Sequence, residues 1–100
     1  MSIENLLEFQ WDETKARSNY RKHGITFDEA KSAFQDGDAR FRTSIDHRDD
    51  EYRFVLMGIS LKSRLIVVTH TYRDDDRIIR IISARKANHK ERFQYRSFKL

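Results

Sequence analysis

Four isoleucines in five positions, Ile78, Ile79, Ile81 and Ile82, stand inside the stretch Arg77-Ile-Ile-Arg-Ile-Ile-Ser-Ala-Arg85. Such β-branched side chains pack well on a pleated surface and crowd the preceding turn of a helix, so the stretch is read as a central strand. It runs directly into Lys86-Ala-Asn-His-Lys-Glu-Arg92, where a basic helix takes over. Counting by two places Arg77, Ile79, Ile81, Ser83 and Arg85 on one face and Ile78, Arg80, Ile82 and Ala84 on the other. Each face therefore carries cations among apolar side chains. A guanidinium at the end of a rigid strand suits an anion, because its fork is planar and permanently charged. The plainer reading is that each arginine sits in a surface ion pair.

The rest of the chain supplies partners for that strand. Phe9-Gln-Trp11 reads as a short strand or extended entry, and Asp12 as the N-cap of a helix over 13–23 that Gly24 terminates. Thr26-Phe-Asp-Glu29 is a capping box flanked by Ile25 and Ala30, which starts a second helix over 27–35. Residues 39–45, 52–59 and 64–72 then read as strands, separated by the Asp36-Gly-Asp38 turn, the polar loop 46–51 and the turn Ser60-Leu-Lys-Ser63. The acid-rich Asp74 to Asp76 closes a hairpin into the isoleucine strand, and Asn88-His-Lys-Glu91 caps a last helix over 89–97. The expected fold is α+β: two N-terminal helices, an antiparallel sheet meander and a C-terminal helix, in one domain spanning 1–100.

Composition narrows the function classes. Twenty basic residues against sixteen acidic ones leave +4, which permits an acidic partner. No cysteine is present, so there is neither a disulfide framework nor a thiolate metal site, as suits a reducing cytosol. The N-terminal residues lack the pattern of a signal peptide and no stretch approaches a membrane span, which points to a soluble cytoplasmic protein without membrane contact. The histidines at 23, 47, 70 and 89 have no metal-ligand spacing, and the three isolated glycines form no phosphate loop. No metal and no cofactor are expected.

The chemistry left open is anion chemistry. An even-numbered loop centred on Asp74 and Asp75 would set Arg64 opposite Arg85, two like charges that an anion would relieve. The same counting puts Arg64, His70 and Tyr72 on one strand face, and pairing across the 60–63 turn brings Arg53 beside His70. A slip of one residue would reverse these faces. Cleaving RNA without a metal needs attack by a 2′-hydroxyl, positive charge on the non-bridging oxygens and a proton for the leaving oxygen. The arginines supply charge, while His23 or His70 titrates near neutral pH. Against this, His23 also suits a helix C-terminus and His70 a hydrogen-bonded core position.

These residues carry a resemblance. Phe9-x-Trp11-Asp12, Lys15, Asn19, Lys22-His23-Gly24-Ile25-x-Phe27-x-Glu29-Ala30, Arg64-Leu-Ile-Val-Val, Arg80-Ile-Ile-Ser-Ala-Arg85-x-Ala87 and Glu91-Arg92 together resemble the BrnT family, ribonuclease toxins of bacterial type II toxin–antitoxin pairs. The resemblance implies a RelE-like fold, metal-independent RNA cleavage that arrests translation and growth, and neutralisation by a BrnA-type antitoxin with a ribbon-helix-helix DNA-binding domain. Promoter DNA would then be bound only through the complex. The same likeness points to Arg64 and Arg85, then Lys22 and His23; the candidate catalytic residues are accordingly His23, Arg64 and Arg85, with Lys22, His70, Arg80 and Lys86 as candidate RNA contacts. Lys62-Ser63 stands where commoner members have a glycine-rich turn.

A second reading belongs to another class: a non-catalytic basic domain that binds a protein or nucleic acid, with Phe93, Tyr95, Phe98 and Leu100 as its apolar surface.

Overall fold

The computed structural model describes residues 8–46 and 51–97. In chain order these form β1 (Glu8–Gln10), α1 (Glu13–His23), α2 (Phe27–Ser32) continued by a 3-10 turn (Ala33–Gln35), β2 (Arg40–Asp46), β3 (Glu51–Ile59), β4 (Leu65–Arg73), β5 (Ile78–Lys86) and α3 (His89–Ser97). The expected α+β architecture is the one observed. His47 within the expected polar loop, and Phe98 and Leu100 of the expected apolar C-terminus, lie outside the described residues.

The helix ends follow their capping chemistry. Asp12 accepts from the Lys15 amide at 3.0 Å, and Gly24 closes α1 at φ +71°, donating its N–H to the Tyr20 carbonyl. A left-handed φ of that size is open to glycine at little cost. Thr26 Oγ1 accepts from the Glu29 amide, while Asn88 and Glu91 form a reciprocal box in which each side chain accepts from the other's N–H.

The strands order β1-β5-β4-β3-β2. β2 to β5 make the antiparallel meander, and β1 adds to its far side in parallel with β5, Gln10 opposite Arg80. That parallel edge departs from the all-antiparallel expectation, because a three-residue segment carries no information about its partner's direction.

Both hairpin registers also differ from the expected ones. Between β3 and β4 the loop closes as Ser60 N–H to Arg64 O, with Ser63 left-handed at φ +61°. The four-residue turn closed by Ser63 N–H to Ser60 O, with its left-handed last residue, lengthens the loop by one and sets Phe54, not Arg53, opposite His70. Between β4 and β5 the turn is Asp74 to Arg77, all three aspartates left-handed, and Arg73 pairs with Ile78. Thr69 then pairs with Ser83 but His70 with Ile81, so Ile82 is an extra, bulged residue. Arg85 consequently stands opposite Val67, three residues from Arg64.

An odd displacement reverses faces. Leu56, Ile66, Val68, Ile79, Ile81 and Ala84 meet Ile25, Phe27, Ala30 and Ala33 in the core beneath α1 and α2. The 3-10 turn approaches so closely that a Cβ on Gly58 would come within 2.9 Å of the Ala33 carbonyl oxygen. The other sheet face carries Arg42, Val55, Met57 and Val67, which with Glu91 and Gln94 of α3 line a groove of about 480 Å³.

Candidate active site

Arg64 is fastened to α2 and to the end of α1. Its Nε donates to Glu29 Oε2 at 2.9 Å, Nη2 makes a short hydrogen bond to Glu29 Oε1, and the same Nη2 reaches the Gly24 carbonyl at 3.3 Å. Ser60 Oγ donates to the same carboxylate at 2.7 Å. Only 2% of the Glu29 side chain is exposed, against 31% for Arg64. The Arg64 hydrogen bonds hold the Glu29 carboxyl below the usual range despite its burial, so the pair stays ionised.

Lys22 and His23, the last two residues of α1, are exposed and adjoin Gly24. The Ala87 amide donates to the Leu65 carbonyl at 2.9 Å, which brings the end of β5 beside the start of β4. Lys86 pairs with Ile66 and so leaves β5 on the side covered by α1 and α2, and it is exposed. The ends of α1, β4 and β5 that carry Lys22, His23, Arg64 and Lys86 thus lie at one end of the sheet, on its helix-covered side.

Arg85 projects from the opposite face. Nη1 donates to Glu91 Oε1 and Nη2 to Glu91 Oε2, both at 2.8 Å, with a further contact to the Lys86 carbonyl. This hydrogen-bonded guanidinium pulls the Glu91 carboxyl down to about 2. The expected clasp of one phosphate between Arg64 and Arg85 is therefore not formed: the two lie on different faces, each on its own carboxylate. The bulge at Ile82, invisible to period-two counting, is the cause: the turn itself moves the register by two residues, which keeps the faces.

Two more candidates are placed elsewhere. Arg80 Nη1 donates to Gln10 Oε1 at 3.1 Å, tethering β1. His70 is corrected as an RNA contact, because it is fully buried among Phe34, Phe54 and Tyr72, with Nδ1 3.2 Å from the Val68 carbonyl oxygen. Burial depresses it to about 4, so it is neutral at physiological pH and out of reach of a ligand.

Sequence reasoning missed Glu29 and Glu91 as the arginines' partners. Each is the acidic residue of a capping box, which was the available signal. Glu91 completes its box and binds Arg85 as well, whereas the Glu29 carboxylate turns to Arg64 and Ser60. No helix among the described residues is long and apolar enough to cross a membrane.

Comparison with known proteins places this geometry in a family. No protein with a curated description matches the chain by sequence. The crystal structure of the Brucella abortus ribonuclease toxin BrnT matches in fold with a TM-score of 0.60 and 21% identity, covering 83% of this chain and 99% of that one. The family model described as the ribonuclease toxin BrnT of type II toxin–antitoxin systems matches residues 11–91, from Trp11 before α1 to the Glu91 that holds Arg85. The chain that builds this basic cluster beside α1 therefore belongs to the BrnT family of ribonuclease toxins.

Proposed function

We propose that the chain is an endoribonuclease toxin that cuts RNA without a metal ion, at the cluster of Lys22, His23, Arg64 and Lys86. The observation that carries this reading is the Arg64 hydrogen bond to the Gly24 carbonyl, next to the point where β5 ends against β4. It supports a site at this end of the sheet, where the chain segments bearing Lys22, His23, Arg64 and Lys86 end. In the reaction the 2′-oxygen attacks the neighbouring phosphorus and the bond to the 5′-oxygen breaks, giving a 2′,3′-cyclic phosphate and a 5′-hydroxyl. Lys22, Lys86 and Arg64 offset charge on the non-bridging oxygens, and His23 moves the proton. Arg80 and Arg85, held by Gln10 and Glu91, are assigned to the RNA backbone rather than to the scissile phosphate.

The family's place in type II systems supports an antitoxin partner, here a BrnA-type ribbon-helix-helix protein. In this reading the toxin acts in the cytoplasm, arrests translation, and meets promoter DNA only within the complex.

The experiment is incubation of the purified chain with single-stranded RNA in excess chelator. Products ending in a cyclic phosphate are expected, and His23→Ala is expected to slow their formation by about 100-fold, the scale of a lost general acid or base. RNA binding without any product favours the non-catalytic basic domain, and cleavage only on adding a divalent cation defeats the metal-independent step.

A further inference from the structure

We infer that Asn19 is a positioning residue whose side-chain amide replaces a missing strand beside β5 and so sets Lys22 and His23 against Lys86. The inference rests on the cluster proposed above. β1 accompanies β5 only over Ile78 to Arg80. Further along the same edge, the Ala84 backbone is met by Asn19 instead: Oδ1 accepts from the Ala84 N–H at 3.1 Å, and Nδ2 donates to the Ala84 carbonyl at 2.8 Å. Nδ2 also donates to the Ile25 carbonyl at 3.1 Å, just past the end of α1. One buried amide thus satisfies a strand edge and ties the outgoing turn to it, Asn19 and Ala84 being 65 positions apart in the chain.

The spacing turns this bond into a ruler. Lys22 and His23 follow Asn19 by three and four residues and share its face of α1. Lys86 follows Ala84 by two and shares its side of β5. Four helical residues advance about 6 Å and two strand residues about 6.6 Å, so a match made at Asn19 and Ala84 is repeated at His23 and Lys86. The relative direction is set independently at both ends. Gln10, just before α1, lies opposite Arg80, and Gly24, just after it, is bonded to Arg64 beside Ala87. Helix and strand therefore advance the same way. No side chain but asparagine's offers a short, neutral acceptor and two donors in this plane.

The test replaces Asn19 by aspartate, which keeps the acceptor for Ala84 and points a carboxylate oxygen at two carbonyls. At a temperature where circular dichroism shows the variant folded, kcat for RNA cleavage in chelator is expected to fall at least tenfold with KM within twofold of the wild type. Unchanged kcat, or a loss equal to the unfolded fraction, overturns the inference. Should Asn19→Asp not fold, Asn19→Ser is judged by the same two numbers. In parallel, nuclear Overhauser contacts between the His23 and Lys86 side chains are measured in the unsubstituted protein. They are expected to be present, and their absence overturns the inference without reference to RNA. If the unsubstituted protein cleaves nothing, the catalytic reading fails while these contacts still decide the role of Asn19 in alignment.

Discussion

Arg85 and Glu91 face each other across the β5–α3 junction as a fork on a fork, both N–O distances 2.8 Å. The Glu91 carboxylate also accepts from the Asn88 amide at 2.9 Å, so one side chain caps α3 and pins it to the last turn of the sheet. Its folded carboxyl lies at about 2, below the ordinary 4.5. A depressed acid contributes stability that is whole above the unfolded value and disappears as pH falls through the folded one. Glu91→Gln is therefore expected to cost about 1–2 kcal/mol at pH 7, with Arg85 partly solvated, and to flatten the loss of stability between pH 4.5 and 2. Urea denaturation across that range is the measurement.

Arg64 sits on a carboxylate from which water is almost excluded. Removing it leaves the Glu29 carboxylate with Ser60 alone in a site almost closed to water. Arg64→Ala is expected to lower stability, less whatever Glu29 recovers by taking up a proton, whereas Arg64→Ala with Glu29→Leu regains much of it. Thermal melts of the single and double variants check the sign, and only the double variant then isolates what Arg64 does to RNA.

His70 makes acid sensitivity appear earlier. Its folded value of about 4 lies below the ordinary 6.5, so between those pH values the unfolded chain binds the proton and the folded one does not. Stability is expected to drop as pH falls from 6.5 to 4, by up to about 3 kcal/mol. His70→Phe is expected to abolish that slope, to keep the ring contacts with Phe34 and Tyr72, and to leave RNA cleavage unchanged. Denaturation at pH 7 and 4.5, with an RNA cleavage assay, reads all three.

Ser63 holds φ +61° in the turn that spaces β3 from β4. A left-handed non-glycine residue is strained, and Ser63→Gly is expected to stabilise the chain by about 0.5–1 kcal/mol, reduced by the greater freedom of glycine when unfolded. The melting temperature is expected to rise without any change in β3–β4 pairing, which hydrogen exchange of the strand amides would follow.

Local chemistry alone determined a good deal. Asp12, Thr26 and Asn88 start their helices because their oxygens meet free amides one turn on, and Gly24 stops α1 because it accepts a positive φ. The isoleucines of β5 and the apolar run of β4 became strands because branched side chains suit a pleat, and the α+β order followed. The family blocks around Lys22, Arg64 and Arg85 were legible for the same reason, being short and contiguous.

What shares a face with what was decided only in three dimensions. A left-handed Ser63 and a bulged Ile82 each move a register by one residue, and in a sheet one residue is the whole difference between inside and outside. The bulge placed Arg64 and Arg85 on opposite faces and let Asn19 meet Ala84, while the Phe34 ring closed over His70 on the helix-covered face. The energies that choose them come from packing and hydrogen bonds between segments far apart in the chain, on which local periodicity carries no information.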